Sequence, residues 1–508
     1  MLARASAEEL RPLREVCRQA DYTEHGLLEM FGPVQLPGRL GREAAHFLYL
    51  TREGRALDTL VRLFLLGVAV PRRAAAAALG EDLLEACGRW GLLERCGEAV
   101  AGLVRLLPYK GLLLATDQAE RPEIARRSDQ VMGITASTAA LADFTLRRPV
   151  EDALDLGTGC GVQALLAAAH ARRVAATDCN PRALEFARWN AQLNNRANIC
   201  FIQADAFGPL GRQRFDLAVV NPPFAVSPSR RFLYRDSGER ADQFCRRLVR
   251  EAPERLKEGG FFQMTLDWVE RAGQDWTERL ASWFEGTGCD AWVLRLGREL
   301  PAHYAYLWIR DTEPGGPEEA GRLYQEWMEY FGREQIEAVS TGLIAMRRRS
   351  GRAHWLRIEE APEGIAGPVG EWVARGFLLK DFLEETGEEA LLAARLRLAP
   401  EVRLEQESEA REGRWQAVGT RIRLTGGLPW GGNLDPRLAA SLARLNGRRP
   451  LRDVLVHLAV ELGVERERLI GQCLPLVRDM ILRGFLLPEG IPAAGEGPEG
   501  TASKAGGV

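Results

Sequence analysis

The sequence predicts an α/β domain built on a mainly parallel sheet, with a helical region before it and an α+β region after it. Between residues 119 and 312, short apolar runs alternate with helical patterns. Alternating strands and helices imply parallel pairing with helices on both faces of the sheet. The 508 residues, of which 46% are hydrophobic, have an ordinary globular composition. This composition excludes a collagen-like or wholly disordered chain and leaves room for several domains.

Seven short apolar runs are the predicted strands of this domain. They are Ala153–Leu156, Val174–Thr177, Ile199–Gln203, Leu217–Val220, Phe261–Leu266, Ala291–Leu296 and Tyr304–Ile309. We therefore divide the chain into five parts. They are a helical, winged-helix-like N-terminal domain (1–118), the α/β domain (119–312), an α+β accessory region (313–430), a helical, winged-helix-like C-terminal unit (431–490) and a disordered tail (491–508) rich in Gly, Ala and Glu.

The winged-helix likeness rests on the order of elements after Pro71. Two helical stretches, Arg72–Ala78 and Glu81–Trp90, precede an extended pair at Val100–Leu107 and Gly111–Ala115. No basic face accompanies the second helix, and phosphate contacts would need one. A packing or homodimerisation unit is therefore favoured over a DNA reader. Further predicted elements are a helix at Glu318–Phe331, strands at Ile336–Arg347, Trp355–Glu359, Leu391–Leu398 and Trp415–Leu424, and a helical stretch at Leu438–Leu487.

Charge, cysteine use and hydropathy exclude several classes of protein. The balance of 67 basic and 70 acidic residues argues against a protein that coats nucleic acid. Nine scattered cysteines form no C-x-x-C pair, and the histidines lack ligand spacing, so we expect neither a metal site nor a disulfide framework. The first twenty residues lack the apolar core of a signal peptide, and the longest apolar run, near 63–70, is too short to span a bilayer. We expect a cytoplasmic protein.

A glycine-rich turn follows the first predicted strand of the α/β domain. Asp155 precedes the segment Gly157-Thr158-Gly159-Cys160-Gly161, after which a helix is predicted. Glycines allow a sharp turn and a close approach of a ligand to the backbone, and the helix points its amide-rich end at the turn. A dinucleotide fingerprint would carry glycine at position 162, which is valine here. The turn therefore disfavours a dehydrogenase.

Acidic residues follow the next two strands. Asp178 stands at the tip of the second strand, where a carboxylate can accept from both ribose hydroxyls of a nucleoside. Asn180 and Pro181 then start a helix, as a cap and a first-turn proline. The third strand leads into Asp205 and Ala206. Three acids in register with three successive strands indicate one nucleoside-binding edge.

The fourth strand ends in Asn221-Pro222-Pro223-Phe224. Two prolines cannot continue a strand ladder, so the chain leaves the sheet in a stiff shape at the ligand-binding edge. The Asn221 amide and the Pro222 carbonyl supply two hydrogen-bond acceptors there. Such acceptors can localise the lone pair of a planar nitrogen during methyl transfer, and Phe224 offers a flat face for stacking.

Together Asp155–Gly161, Asp178, Asp205 and Asn221–Phe224 resemble the amino-methyltransferase branch of the class I S-adenosylmethionine (SAM) methyltransferases. The resemblance implies a Rossmann-like, seven-stranded sheet whose last pair forms an antiparallel hairpin around His303–Arg310. It implies SAM as cofactor, a segment at Val131–Thr135 that closes over it, and an acid near 205 that accepts from the adenine amino group. The implied SAM-binding residues are Asp155, Gly157, Thr158, Gly159, Gly161, Asp178, Asp205, Ala206 and Asn221, and the implied catalytic residues are Asn221, Pro222 and Phe224.

The methyl acceptor has two candidates within this branch. Leu154–Gly159 and Ala183–Asn195 are most similar to the release-factor glutamine N5-methyltransferases, which typically carry Tyr at the position of Phe224. The Phe form is common among RNA-directed members, including guanine-N2 and adenine-N6 methyltransferases. We expect a protein glutamine as the acceptor, with an RNA or DNA base amine as the alternative.

Two basic clusters and the flanking regions allow an alternative hypothesis about the function of the chain. Ser227–Arg231 with Tyr234–Asp236, and Arg347–Arg352, are each either phosphate contacts or solvated loops. A non-catalytic protein that binds nucleic acid or a partner through its winged-helix-like ends is the alternative of another class. The intact Asn221, Pro222 and acids argue against it.

Overall fold

The computed structural model describes residues 2–32, 44–118, 127–313, 315–365 and 367–493. Its N-terminal region is mostly helical, with two small sheets. Its elements are α1 (Arg11–Gln19), α2 (Glu24–Phe31), α3 (Ala44–Leu50), α4 (Ala56–Leu60), β1 (Val70–Pro71), α5 (Arg72–Leu79), α6 (Glu81–Arg89), β2 (Leu93–Cys96), β3 (Ala99–Gly102), β4 (Val104–Tyr109) and β5 (Leu112–Asp117). Strands β1, β3 and β2 form one antiparallel sheet and β4 pairs with β5.

The predicted order of two helices and extended segments after Pro71 is present, but its strands are divided differently. Instead of one pair at 100–107 and 111–115, two hairpins form, β2–β3 and β4–β5. The division falls at Gly102, where a Cβ atom would lie 2.1 Å from the carbonyl oxygen of Leu63. Only glycine fits this close approach of two backbone segments.

The α/β region contains the large sheet and the helices that cover it. Its elements are α7 (Ala136–Phe144), β6 (Val150–Leu156), α8 (Val162–Ala167), β7 (Ala171–Asp178), α9 (Pro181–Leu193), β8 (Ile199–Gln203), β9 (Phe215–Val220), α10 (Gln243–Glu251), β10 (Leu256–Arg271), α11 (Trp276–Ala281), β11 (Cys289–Glu299), α12 (Pro301–Thr312), α13 (Pro317–Arg333), β12 (Ile336–Arg348) and β13 (Leu356–Glu360). The strand order is β13-β11-β12-β10-β9-β6-β7-β8.

The pairing within this sheet confirms the predicted Rossmann-like α/β fold. Strands β6 to β10 pair in parallel, whereas β12 is antiparallel to both β10 and β11. The chain order reverses between β6 and β9, which places a topological switch point there. Ligands of open α/β sheets bind beyond the carboxyl ends of the strands at such a point.

The predicted seventh strand at Tyr304–Ile309 is wrong, because these residues lie in α12. A six-residue apolar run does not distinguish a strand from a buried helix, and Pro301 starts a helix here. No hairpin therefore forms around His303–Arg310. The antiparallel strand beside β10 is β12, and the pair α12–α13 stands between β11 and β12. The described sheet has eight strands rather than seven. Its strands β12 and β13 follow residue 312, so the predicted domain end at 312 comes before the sheet is complete.

Two asparagines of α9 join the N-terminal region to the α/β region. The Asn190 amide accepts from the Ala115 N–H (2.7 Å) and donates to the Ala115 and Cys160 carbonyls. Asn194 pairs with the backbone of Leu113 in the same way, at 2.9 and 2.8 Å. These side chains satisfy the free edge of β5, which would otherwise expose unpaired backbone groups.

The chain divides into two compact units, of which the first holds Met1–Ala142 and Arg148–Glu359 and the second holds Asp143–Arg147 and the residues from Glu360 on. The second unit contains α14 (Gly370–Glu385), α15 (Glu388–Ala393), β14 (Arg395–Leu398), β15 (Val402–Arg411), β16 (Arg414–Leu424), β17 (Gly431–Asn433), α16 (Pro436–Leu442), β18 (Asn446–Pro450), α17 (Leu451–Leu462), α18 (Arg466–Leu482) and β19 (Leu486–Pro488). Of the predicted strand at 391–398 only β14 forms, because Ala393 ends a helix. The predicted disordered tail starts too early, because Ile491 and Ala493 pack on the core of this unit, and its remainder from 494 on lies outside the described residues.

In the described ranges, no helix has the length and apolar character needed to cross a bilayer.

Candidate active site

A cavity of about 710 Å³ opens at the carboxyl edge of β6 to β9. Three of its walls come from the glycine turn, the segment after β9 and residues 130–138, which include the predicted closing segment. The predicted site residues that line it are Asp155, Gly157, Thr158, Gly159, Asp178, Asp205, Ala206, Asn221, Pro222 and Phe224. Gly161 is the predicted site residue that does not line the cavity.

Asp155 holds the glycine turn in shape from beneath. Its side chain is 2% exposed, and its Oδ2 accepts from the Thr158 hydroxyl (2.6 Å) and from the Ala164 N–H (2.9 Å). The Thr158 N–H donates to the Thr177 carbonyl (2.8 Å), which ties the turn to the end of β7. The carboxylate therefore connects the start of the turn to the first turn of α8. These hydrogen bonds go to protein atoms, so the Asp155 side chain fixes the conformation of the glycine turn.

The glycines of the turn serve two different purposes. Gly159 and Gly161 both have positive φ, at +54° and +90°. A Cβ atom on Gly159 would meet nothing within 4 Å, because this residue faces the cavity. A Cβ atom on Gly161 would lie 3.0 Å from the Cβ of Ala187 in α9. Gly159 therefore leaves room for a ligand, whereas Gly161 allows the turn to pack against α9.

Alanine substitutions should separate these two purposes. We expect Gly161→Ala to lower the free energy of unfolding by about 1–3 kcal/mol, because both its φ and its contact with Ala187 oppose a side chain. We expect Gly159→Ala to destabilise less, by about 1 kcal/mol, but to weaken SAM binding more strongly. Denaturant unfolding and calorimetric titration with SAM measure the two effects. Equal losses of stability in both variants would contradict the assignment.

Asp178 stands at the end of β7 and reaches back to the glycine turn. Its two carboxylate oxygens accept from the Gly159 N–H (2.9 Å) and the Asn180 N–H (2.8 Å). Burial raises the pKa of Asp178, and these two backbone donors partly offset the rise. Asn180 caps α9 by accepting from the Arg182 N–H (3.0 Å). Each carboxylate oxygen keeps a lone pair for a ligand hydroxyl.

Asp205 and Ala206 form the rim next to Asp178. The Ala204 N–H donates to the Asp178 carbonyl (3.0 Å), which holds the two strand ends together. Asp205 is exposed, and Ala206 has a φ of +46°, a left-handed conformation that residues other than glycine seldom adopt. The backbone thus turns sharply at the position where the resemblance puts the adenine contact.

Two threonine hydroxyls hold the Asn221 side chain from opposite sides. Thr265 on β10 donates to Asn221 Oδ1 (2.9 Å), and Asn221 Nδ2 donates to the Thr138 hydroxyl (3.1 Å) of α7. The Thr138 carbonyl accepts in turn from Gln163 (3.0 Å). An ideal Cβ on Gly157 would lie 3.9 Å from the Asn221 carbonyl oxygen, so the backbone of Asn221 passes beside the glycine turn, and both residues line the cavity.

Neither threonine belongs to a motif that the sequence shows. Met264 of β10 pairs with Val220 of β9, which brings the next residue, Thr265, level with Asn221. Thr265 and Asn221 are 44 residues apart in the chain, and only the register of β9 and β10 brings them together. The spacing of residues in the sequence does not show this register. Thr138 lies 83 residues away, just beyond the segment predicted to close over the cofactor.

Helix α12 forms the far side of the cavity, although the apolar run at 304–309 predicts a strand there. The rings of Phe224 and Trp308 meet edge to face, with centroids 6.4 Å apart. Tyr304 lines the same wall together with Asp267 of β10. Edge-to-face pairs stabilise the positions of both rings. A flat substrate group beside Phe224 would therefore find an aromatic wall already in place.

One arginine of each basic cluster is buried in an ion pair, whereas Arg230 and Arg231 of the first cluster are exposed. Arg235 is 1% exposed and lies between Asp236 and Glu313, each at 2.8 Å. Arg347 is 4% exposed and is paired with Asp290 at 2.7 Å. These guanidiniums are neutralised inside the fold, because a buried charge requires a partner.

The cavity fits a nucleoside sulfonium cofactor. The space over Gly159, the carboxylate of Asp178 and the exposed Asp205 match the parts of SAM that carry hydroxyl and amino groups. In the part of the chain that the structure describes, Thr177 Oγ1 and Gln163 Oε1 are buried on the cavity wall without a hydrogen-bond partner. Buried polar atoms are normally paired, so these two are available to a polar ligand. No three His, Cys, Asp or Glu side chains among the described residues gather as metal ligands.

Comparisons with known proteins agree with the fold and the cavity. The Methyltransferase small domain family matches residues 133–287. Together with the strand order and the glycine turn, this match makes the α/β region a class I SAM-dependent methyltransferase domain, and SAM is the cofactor of such domains. Two other families, each described as a domain of unknown function, match residues 19–103 (DUF7059) and 371–488 (DUF7782).

Several of the similar curated proteins are glutamine methyltransferases. The release factor glutamine methyltransferase of Geobacter sulfurreducens is 33% identical over 173 residues, which are 31% of this chain and 58% of that protein. The ribosomal protein uL3 glutamine methyltransferase of Bradyrhizobium diazoefficiens is 34% identical over 178 residues, 32% of this chain and 54% of that protein. The chain thus spans little more than half the length of these relatives.

Solved structures match part of this chain at low identity and low TM-score. The YcgJ protein from Bacillus subtilis is 16% identical and covers 42% of this chain and 97% of its own, with a TM-score of 0.29. The ribosomal protein L11 methylase from Lactobacillus delbrueckii subsp. bulgaricus is 16% identical and covers 43% and 81%, with a TM-score of 0.26. The fold assignment rests on the strand order and the family match.

Proposed function

We propose that this chain is a SAM-dependent N-methyltransferase that methylates the side-chain amide of a protein glutamine. One observation carries the proposal. The Asn221 amide is held between two hydroxyls beside the glycine turn, in a cavity that is large enough for a cofactor and an acceptor. The similarity of this domain to glutamine methyltransferases supports the choice of acceptor.

The residues of the tetrapeptide suit a planar nitrogen. SAM supplies an electrophilic methyl group when it is bound. Asn221 Oδ1 already accepts one hydrogen from Thr265, and its second lone pair remains for an N–H of the acceptor. The Pro222 carbonyl is the other acceptor, because the prolines fix the backbone there. Two acceptors would draw the N–H groups away from the amide plane and leave the nitrogen lone pair toward the methyl group; as the new C–N bond forms, the methyl–sulfur bond would break to leave a neutral thioether, and the nitrogen would lose one proton to water. Preorganised dipoles of this kind lower the barrier without a charged base.

The ion pairs within the basic clusters favour a protein over a nucleic acid as the substrate. Phosphate contacts supply much of the affinity for RNA or DNA and require accessible Lys or Arg side chains. Arg235 and Arg347 are committed to internal ion pairs, and Arg231 pairs with Glu313 at 2.7 Å. The second candidate, an RNA base amine, keeps the support of Phe224, which is the form common among RNA-directed members of the branch.

Labelling of a cell extract with tritiated SAM tests the proposed function. The purified chain is added to an extract from cells that lack it, and equal samples are then treated with protease or nuclease. We expect protease to remove the label and acid hydrolysis of the protein fraction to release labelled methylamine, because acid cleaves the side-chain amide of N5-methylglutamine to glutamate and methylamine. Removal of the label by nuclease would instead establish the RNA or DNA alternative. No label above an extract without added enzyme would overturn the methyltransferase assignment.

A further inference from the structure

The loop that carries the tetrapeptide is anchored at both ends by the same strand. At residue 221, Thr265 of β10 bonds the Asn221 side chain at 2.9 Å. At residue 226, the Val226 N–H donates to the Tyr304 hydroxyl at 3.0 Å, and this hydroxyl donates to Asp267 of β10 at 2.6 Å. Phe224 lies between the two anchors.

The second anchor, formed by Tyr304 and Asp267, is buried, and the polar atoms of both side chains are hydrogen-bonded. Asp267 and Tyr304 are 2% and 4% exposed. The second carboxylate oxygen of Asp267 accepts from the hydroxyl of Thr341 on β12 at 2.7 Å. Thr265 and Asp267 are two residues apart on one strand, so their side chains point to the same face of the sheet. Strand β10 therefore holds the loop through two side chains on one face of the sheet, of which Asp267 lines the cavity.

Helix α12 contacts both the backbone of this loop and the ring of Phe224. Tyr304 bonds the backbone of Val226, and Trp308, four residues later on the same helix face, meets the ring of Phe224. A shift of this helix would move the end of the loop and the ring of Phe224 together. The inserted pair α12–α13 thus forms part of the site, whereas a simple hairpin between β11 and β12 would leave this wall open.

We infer that Tyr304 and Asp267 are positioning residues of the methyl-acceptor subsite, which fix the end of the loop so that Phe224 and Trp308 receive the planar acceptor group. The inference rests on the proposed function for its catalytic consequence. Its structural part, the anchoring of residues 221–226, stands on the hydrogen bonds alone. SAM binding depends on the other side of the cavity and does not involve this pair.

The protonation state of Asp267 affects this anchor. Burial raises the pKa of Asp267 to about 6, even though the hydroxyls of Tyr304 and Thr341 favour the carboxylate. Above that pH both oxygens accept, whereas below it one oxygen carries a proton and one of the two bonds weakens. The titratable groups that face it are Tyr304 of α12 and Cys245 of α10, and burial raises the pKa of both well above their ordinary values. On β12 the facing residue is Thr341, which does not titrate.

Hydrogen exchange measured by mass spectrometry tests the anchor without any methyl acceptor. We expect Tyr304→Phe to speed exchange in the peptide that contains residues 221–226 about five- to tenfold, because the Val226 N–H loses its acceptor. Tyr306→Phe, on the exposed side of the same helix, is the matched control and should leave this exchange unchanged. After correction for the intrinsic pH dependence, exchange in the wild type should rise below about pH 6, and Asp267→Asn should remove this step.

Methyl transfer to the labelled protein fraction tests the catalytic consequence. We expect the rate of Tyr304→Phe to fall about 10- to 100-fold, with the affinity for SAM within about twofold of the wild type. Unchanged exchange in Tyr304→Phe, an unchanged rate, or an equal loss of SAM affinity would each overturn the inference. If the wild type transfers no methyl group, the proposed function fails, and the exchange result alone then decides whether Tyr304 anchors the loop.

Discussion

Replacement of Asn221 by alanine should lower kcat for methyl transfer about 10²- to 10³-fold while SAM affinity falls less than about tenfold. The substitution removes a side-chain acceptor that is held in place by Thr265 and Thr138. Loss of one preorganised hydrogen-bonding group that acts on the reacting atoms has an effect of this size. Labelling kinetics give kcat, and calorimetry with SAM gives the affinity.

Two further variants make this result specific. Thr265→Val removes the hydroxyl that orients Asn221 Oδ1 but leaves the volume of the side chain almost unchanged, so we expect a smaller loss of about tenfold in kcat. Asn433→Ala changes an exposed asparagine on β17 of the second unit and serves as the control. If Asn221→Ala binds SAM and transfers methyl at the wild-type rate, the amide has no part in the reaction and the proposed chemistry is wrong.

Replacement of Asp178 by alanine should weaken SAM binding about 100-fold. The carboxylate both presents lone pairs to the cavity and holds the Gly159 N–H in place at 2.9 Å. Hydrogen bonds to a charged group contribute about 1.5–3 kcal/mol each, and this substitution removes the bonds to the ligand as well as the support of the turn. Calorimetric titration measures the loss, and circular dichroism checks that the variant is folded.

The pH dependence of SAM binding provides a second measure of the same residue. Because burial raises the pKa of Asp178 above its ordinary value, acidification protonates this carboxyl earlier than an exposed one. We therefore expect SAM affinity to fall as the pH is lowered in the wild type and to vary less in Asp178→Asn. Asp205→Ala, which changes the exposed rim residue, should weaken binding by less than about tenfold. A larger effect at Asp205 than at Asp178 would contradict the assignment of the ribose contact.

The sequence predicted the glycine turn, the helix cap and the strand ends that line the cavity, because the signals for these features are local. Positive φ at Gly159 and Gly161, the cap at Asn180 and the prolines after Asn221 each act within a few residues of their own position. The resulting strand–turn–helix order and the parallel sheet are present as predicted, and the family match confirms the SAM methyltransferase domain. The same locality explains the error at 304–309, where an apolar run satisfies the pattern of either a strand or a buried helix.

The acceptor half of the site depends on which segments the folded chain brings together. Thr138, Thr265 and Tyr304 reach residues 221–226 from 83, 44 and 78 residues away. The distinction between a turn-packing glycine at 161 and a ligand-facing glycine at 159 likewise needs the position of α9. Backbone conformation and helix capping follow from neighbouring residues and can be read along the chain. Strand register and helix packing bring together side chains that are distant in sequence, so the acceptor wall and the supports of Asn221 emerge once the sheet has formed.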